Sequence, residues 1–411
     1  MKVALLGNMN NNHFSLMRYL RDLGIDASLL LYSSDGKGNN SHFKPESDTW
    51  NIDKWAPFIV HTDLPNGGVK AFKYLFNSGY LKKLLNSYDI IIGNGFAPAY
   101  CYFINRNLDI FLPYALGGEF LYYSKTIKLK ALIRNQVHKY FQIAGLRQTK
   151  LICTIDNGWN NVKYFSKNKL RINQLGIPMV YYESIPIQDL IPHEIRQYSY
   201  LIDNTGFSVF SHVSHTWKNF PSNHFDIKKN HYLIQGFALF LDRNRVKDCK
   251  LFLLEYGNDI IESKKLIREL GLNEHVIWLP KMTRKEIIYL IGRVDIGCSE
   301  LGGVIWGGTG WEFLCMGVPM IHYLDLSKKN YDDINLPPFF NVQTPEDIGN
   351  ILENAYSNRS GLKKMGESCK QWYHDNNGTA LANRYKEIID GIFEGRRIRG
   401  VNYNIEFNAS N

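Results

Sequence analysis

The sequence predicts a doubly wound α/β chain in two domains, and three observations carry that prediction. Short apolar runs end in glycine and lead into helical periodicity: VALLG (Val3 to Gly7) precedes SLMRYLRDLG, and IDASLLLY follows as the next strand. The same alternation restarts after residue 204, as FSVFS, HYLIQGFALFLD, KLFLLEYG, SKKLIRELGL, HVIWLP and TRKEIIYLIGRV. The length of 411 residues is ample for two cores. The boundaries read from this pattern are a first domain at 1–183, a linker at 184–204 containing Pro186 and Pro192, and a second domain at 205–379. A last helix at about 380–396 is available to pack back on the first domain, and 397–411 is a loose tail. Two such domains are expected to face a central cleft.

Ligands of these sheets sit beyond the carboxyl ends of the strands, so the loops after them come next. After the first strand, Gly7, Asn10 and His13 border the expected cleft, although Asn10 to Asn12 equally suit plain turn chemistry. Residues 33–65 form a polar and aromatic excursion, and helical material follows before the strand DIIIG. FLPYALGGEFL then runs into Gly117, Gly118 and Glu119, which either hold a substrate hydroxyl or start a helix with a favourable acid.

Ser124 to Lys150 carries Lys125, Lys128, Lys130, Arg134, Lys139, Arg147 and Lys150 with no acid. Apolar residues from Ile127 to Ile143 interleave at helical spacing, so this reads as a basic amphipathic helix. It either docks an anionic membrane surface or acceptor, or packs on its own domain with a solvated basic face. The charge is uneven: residues 1–180 hold 22 Lys and Arg against 11 Asp and Glu, the remainder 26 against 28. No nucleic-acid recognition motif accompanies that charge, and no nucleic-acid partner is expected.

No apolar run approaches the roughly 18 residues that span a bilayer. The opening MKVALLGNMNNNH is too short an apolar run for a signal peptide and reads as a strand. Six scattered cysteines without CxxC spacing read as reduced thiols in a cytosolic chain with no metal site.

In the second domain, Cys298 to Tyr323 is the stretch around which the rest is arranged. A strand ends at Ser299 and Glu300, a loop holds Gly302, Gly303, Gly307, Gly308 and Gly310, and a helix carrying Glu312 stops at Gly317. Crowded backbone N–H groups at a helix start suit a diphosphate, while the carboxylate suits a hydroxyl-bearing neighbour such as a sugar. Taken alone, the loop equally reads as a structural turn. His212, His215, Lys218, Lys228 and Lys229 add positive or titratable groups, and Glu255 and Gly257 close another strand.

The arrangement resembles the GT-B glycosyltransferases, particularly the retaining family 4 (group 1) type, over almost the full chain and most strongly at about 228–325. KKNHYLIQGFALF is similar to that family's KG-x-D-x-LI-x-AF segment, and WEFLCMGVPMI to its LEAMACGVPVI segment. The resemblance implies two Rossmann-like domains, with Lys228 on the donor diphosphate and Gly308, Thr309 and Gly310 cradling it. It also implies Glu312 on the nucleotide ribose and Leu279 to Met282 near the base. Lys218, His215 and Gly257 join this donor set.

The sequence departs from the family pattern at Val304, which stands eight before Glu312 where the family has an acid. Glu300 is the nearest upstream acid, with eleven residues between. Either the loop carries an insertion and Glu300 meets the donor sugar, or that contact is supplied differently. The family's usual arginine is replaced by the choices His212, His215 and Lys218. His13 and Glu119 are the candidates for its first-domain catalytic group, with Gly7, Asn10, Gly117 and Gly118 on the acceptor side.

What the resemblance implies is transfer of a sugar from a UDP- or GDP-sugar to a glycan or lipid-linked acceptor in bacterial-type surface polysaccharide or glycoconjugate synthesis. It implies a retaining, metal-independent enzyme with no cofactor beyond the donor. Lys125, Lys128, Lys130 and Arg134 would give peripheral contact with the inner membrane face. A nucleotide-sugar 2-epimerase of the same fold, or a non-catalytic glycan- or membrane-binding protein, are the alternatives.

Overall fold

The structure, a computed structural model, describes residues 1–37, 43–113, 129–154, 170, 172–176, 180–182, 190–219, 227–246, 248–302, 308–326 and 336–396. Gly117, Gly118, Glu119, Lys125 and Lys128, and the tail 397–411, lie outside the described residues. The chain divides into two compact units. The first comprises Met1–Glu46, Asn51–Tyr181 and Thr379–Asn411, and the second Ser47–Trp50 and Tyr182–Gly378.

In the first unit, strands β1 (Lys2–Leu6), β2 (Asp26–Leu31), β3 (Ile59–His61), β4 (Ile90–Gly93), β5 (Ile110–Phe111), β6 (Leu151–Thr154) and β7 (Ile172–Gln174) form a sheet in the order β3-β2-β1-β4-β5-β6-β7. Every pairing is parallel. A parallel strand is covered on both faces, which is why VALL is apolar without alternation. Val3 and Leu5 enter one core with Phe14 and Leu20 of helix α1 (Asn12–Asp22), while Ala4 and Leu6 enter the opposite core.

Around the sheet lie α2 (Ile52–Trp55), α3 (Lys73–Phe76), α4 (Gly79–Leu85), α5 (Ala97–Phe103) and α6 (Leu129–Gln148). Helix α6 lies so close to α5 that a Cβ on Gly145 would sit 2.0 Å from the Pro98 carbonyl oxygen. His138, Phe141 and Gln142 also turn inward, and the Gln142 Nε2 donates to the Gly95 carbonyl at 2.8 Å.

The second unit repeats the plan. Strands β8 (Phe207–Ser211), β9 (Cys249–Leu254), β10 (Val276–Leu279), β11 (Ile296–Cys298), β12 (Met320–His322) and β13 (Phe340–Asn341) run in the order β10-β9-β8-β11-β12-β13, again parallel. Its helices are α7 (His193–Asp203), α8 (Asn230–Asn244), α9 (Ile260–Glu269), α10 (Arg284–Ile291), α11 (Gly308–Met316), α12 (Pro345–Ser357) and α13 (Arg359–Asn376). Helix α7 occupies most of the stretch read as a linker and belongs to this unit. The last helix, α14 (Gly378–Phe393), buries Leu381, Tyr385 and Ile389 in the core of the first unit.

In both sheets the strand order reverses beside the first strand of the unit, between β1 and β4 and between β8 and β11. Helices leave to opposite faces there, which opens a crevice at the strand ends. The six cysteines are buried free thiols, and among the described residues no helix is long and apolar enough to cross a membrane.

The α5–α6 contact gives a direct test. Gly145→Ala pushes a methyl group into backbone, so it is expected to destabilise the first unit by about 1–3 kcal/mol in chemical denaturation. Unchanged stability would show that the two helices are not packed this closely.

Candidate functional site

The second unit's switch point gathers the charged groups. Lys228 stands just before α8, and its Nζ lies 2.9 Å from Oε1 of Glu300, immediately beyond β11. Both side chains are mostly buried, at 19% and 13% exposure. The backbone fixes them: the Lys228 N–H donates to Thr216 at 2.7 Å, and the Leu301 N–H donates to the Lys228 carbonyl at 3.3 Å. Gly302 is required there, because a Cβ would lie 2.2 Å from the Ile227 carbonyl oxygen. Burial, reinforced by the Lys228 charge, pushes His322 at the end of β12 down to a pKa of about 3, so its ring is neutral.

The start of α11 is pinned by a hydroxyl contact of 2.8 Å between Ser299 Oγ and Thr309 Oγ1. Among the described residues, apart from its chain neighbours and the backbone of its own helix, no atom stands within 4 Å of where a Gly308 Cβ would be. One turn on, Glu312 is buried and holds two partners. Its Oε2 accepts from His212 Nε2 at 2.6 Å, and its Oε1 accepts from Arg284 Nε at 2.8 Å. Arg284 Nη1 in turn donates to Asp48 Oδ1 at 3.0 Å, from the short Ser47–Trp50 segment that belongs to this unit.

Burial alone would raise the Glu312 pKa. The His212 hydrogen bond and the charges of His212 and Arg284 outweigh it and hold the carboxyl below its ordinary value. Burial would likewise lower the Arg284 pKa, but Asp48 and Glu312 raise it. Tyr256 donates its hydroxyl to the His212 carbonyl at 2.8 Å, and its pKa is raised by burial first and then by the Glu312 and Glu300 charges.

The other expected donor-side residues have different surroundings. Gly257, at φ +118°, comes so close to His215 that a Cβ would lie 2.4 Å from the His215 backbone nitrogen and oxygen. His215 Nδ1 lies 2.8 Å from Ser263 Oγ, and burial lowers its pKa to about 4 despite Asp259 nearby. The Asp259 carboxylate accepts the backbone N–H groups of Trp217 at 2.6 Å and Lys218 at 2.9 Å. The Lys218 side chain pairs with Glu262 on α9. This knot fastens the β8 loop to α9. Leu279 is buried at the end of β10 with its carbonyl accepting from Glu255 at 2.7 Å, and Met282 is half-buried two residues beyond Pro280.

In the first unit Gly7 turns the chain out of β1 at φ +85°, where a Cβ would meet Asn94 Oδ1 at 2.1 Å. Asn10 and Asn11 take left-handed backbone, at φ 54° and 57°. Asn8 supports the turn: its Oδ1 accepts from the Phe14 N–H at 3.0 Å and its Nδ2 donates to Asn11 Oδ1 at 2.6 Å. His13 is fully buried beneath the loop with Nδ1 donating to the Gly7 carbonyl at 2.8 Å, and burial lowers its pKa to about 4.

Asp35, absent from the sequence-based candidates, accepts the backbone N–H groups of Asn8 at 3.1 Å and Tyr32 at 3.0 Å. Burial raises its pKa to about 6, and those bonds offset only part of the rise. Lys130 and Arg134 are exposed on the outer face of α6. Among the described residues no group of His, Cys, Asp and Glu could hold a metal ion.

The residues missed in the sequence are Asp48, Arg284, Tyr256 and Asp35. Arg284 was masked by a stronger local signal. TRKE reads as a helix start, and Thr283 and Glu286 do form a capping box, with the Thr283 N–H donating to Glu286 Oε2 at 2.7 Å. Asp48 sits in an irregular excursion that offers no periodicity.

No protein-family model matches the sequence, and no curated protein matches it. Solved structures do. A glycosyltransferase of Rickettsia africae superposes with TM-score 0.60 at 17% identity, over 96% of this chain and 98% of that one. HepE of Anabaena, in complex with UDP and glucose, gives 0.58 at 13% identity, over 95% and 100%. A Listeria monocytogenes protein bearing the name of a UDP-N-acetylglucosamine 2-epimerase gives 0.58 at 12% identity, over 96% and 98%. The chain therefore has the GT-B fold, and its structural neighbours are GT-B glycosyltransferases with an epimerase name among them.

Two predictions follow from the buried charges. Arg284→Ala leaves Glu312 and Asp48 without their shared cation and is expected to cost about 3–5 kcal/mol in urea denaturation; a loss under about 1 kcal/mol would contradict the network. Asp35 has a folded pKa above its ordinary 3.8, at about 6, so its contribution to stability declines as pH rises through that window and is constant above it. Asp35→Asn is expected to remove that decline, and an unchanged stability profile between those pH values would show that Asp35 does not titrate there.

Proposed function

We propose that this chain is a glycosyltransferase that moves a sugar from a UDP- or GDP-sugar to a glycan or lipid-linked acceptor in surface polysaccharide or glycoconjugate synthesis. The observation that carries this reading is the Lys228–Glu300 pair at the second unit's switch point, beside a helix start fixed by Ser299 and Thr309. Departure of a nucleoside diphosphate builds negative charge on its phosphates. Lys228 and the N–H groups of Gly308, Thr309 and Gly310 supply fixed positive potential for it, with no reorganisation during the reaction. Glu300, held by Lys228, is assigned to the donor sugar, where a carboxylate accepts hydrogen bonds from hydroxyls. Glu312, kept ionised by His212 and Arg284, is assigned to the nucleotide ribose.

His215 and Gly257 shape the wall of this site through the β8 loop, and Leu279 and Met282 lie on the base side. Lys218 supports the loop through Glu262. Acceptor recognition is assigned to the Gly7 and Asn10 turn, with Gly117, Gly118 and Glu119. His13, neutral and buried, positions that turn through Gly7. In this reading the reaction is retaining, takes its cationic help from Lys228 and the helix start, and runs in the cytoplasm at the inner membrane face, with the α6 bases toward anionic lipid.

A 2-epimerase is the second reading, favoured by the structural match to the Listeria protein. Incubation with UDP-, GDP- and ADP-sugars separates the two. Transfer to a glycan acceptor, or slow donor hydrolysis without one, supports the transferase; formation of an epimeric nucleotide sugar without acceptor supports the isomerase. Lys228→Ala is expected to lower transfer or hydrolysis about 100–1000-fold while thermal unfolding stays near wild type. Near-wild-type turnover in that variant would remove Lys228 from the site.

A further inference from the structure

We propose that the segment from Val69 to Lys83 is a second bilayer contact, in which Phe76 and Tyr80 enter the interface of an anionic membrane and four lysines meet its headgroups. The inference rests on the lipid-facing part of the reading above and not on the donor site. Three observations carry it. First, the segment already satisfies its own fold. Ala71, Tyr74, Leu81 and Leu85 are buried in the first unit's core, so no packing requirement keeps apolar groups on the outside. Yet Val69 is 70% exposed and Tyr80 42%, and Phe76 at 87% is the most exposed large apolar side chain among the described residues. Leaving such a ring in water costs free energy that insertion into an acyl boundary recovers.

Second, Lys70, Lys73, Lys82 and Lys83 are all exposed, no acid occurs between Asp63 and Asp89, and none of the four lysines has an ion-pair partner among the described residues. Third, the segment is continuous with the basic helix α6. The Phe72 ring packs on His138 at 4.8 Å and on Phe141 at 5.7 Å. Outward from that contact α6 exposes Leu132, Ile133 and Tyr140 with Lys130 and Arg134.

The combination selects the occupant. A soluble polyanion would satisfy the lysines but offers no apolar environment to Val69 and Phe76. A second copy of the chain would bring like charge to like charge. An anionic bilayer satisfies both, with lysines at headgroup level and aromatic rings at the acyl boundary.

Flotation of the full chain with phosphatidylcholine vesicles, with and without phosphatidylglycerol, tests this. The wild type is expected to float with the anionic vesicles and to prefer them over neutral ones. Phe76→Ser with Tyr80→Ser should lower partitioning about tenfold. Replacing the four lysines by alanine should lower it about fivefold per residue and remove the preference for phosphatidylglycerol. Every substituted side chain is exposed, so both variants should unfold at the wild-type temperature and hydrolyse nucleotide sugar at the wild-type rate. Wild-type flotation by either variant, no preference for anionic vesicles in the wild type, or binding to heparin without binding to vesicles would each overturn the proposal. The vesicles contain no nucleotide sugar, so a negative result here leaves the donor site standing, and failure of the donor site leaves flotation unaffected.

Discussion

A carboxylate buried as Glu312 is must be neutralised where it stands, because moving an ionised group out of water without a partner costs more than the fold can spare. That requirement sets the second unit's switch point. His212 has to leave β8 pointing at α11, and Arg284 has to open α10 within reach of the same group. Asp48 then balances the guanidinium, which ties the Ser47–Trp50 segment into this unit although its neighbours in sequence belong to the other. Arg284 suits this place better than a lysine would, since its planar fork serves two carboxylates in separate directions.

The same physics explains how the site is prepared for an anion. Lys228 is held against Glu300 rather than left to solvent, so little side-chain entropy is lost when a phosphate arrives. Burial, reinforced by the Lys228 charge, keeps His322 neutral, so the ring at the end of β12 adds no second cation beside the lysine. Ser299 fixes the hydroxyl of Thr309, and through it the direction of the helix start. Preorganisation of this kind is what stabilises a leaving diphosphate, because water would have to reorient to do the same.

Both sheets are legible in the sequence because parallel strands covered on two faces are written as unbroken apolar runs, and VALL, the three isoleucines of DIIIG and the LFLL of KLFLLEYG are of that kind. Gly7 and Gly302 are legible as glycines that must turn or approach closely, and the structure supplies the reason at each. Lys228 and Glu300 are each visible as candidates, but their pairing is not, since it depends on β8 and β11 lying side by side. Asp48 is invisible for a related reason: its role is created only when a polar excursion docks on a distant helix. Lys218 illustrates the same limit. As a lysine after a strand it is visible as a candidate anion ligand, but its pairing with Glu262 on the facing helix, which ties down the β8 loop, is seen only in the fold.

Calorimetric titration of UDP beside uridine, and of GDP beside guanosine, into the full chain tests whether Lys228, Glu300 and the start of α11 form a diphosphate site, because the members of each pair differ only in the phosphates. At least one of the two diphosphates is expected to bind, with its nucleoside at least about 100-fold weaker and the diphosphate's affinity falling as salt is raised. Binding of neither diphosphate, equal affinity of diphosphate and nucleoside, or diphosphate binding insensitive to salt would contradict the site.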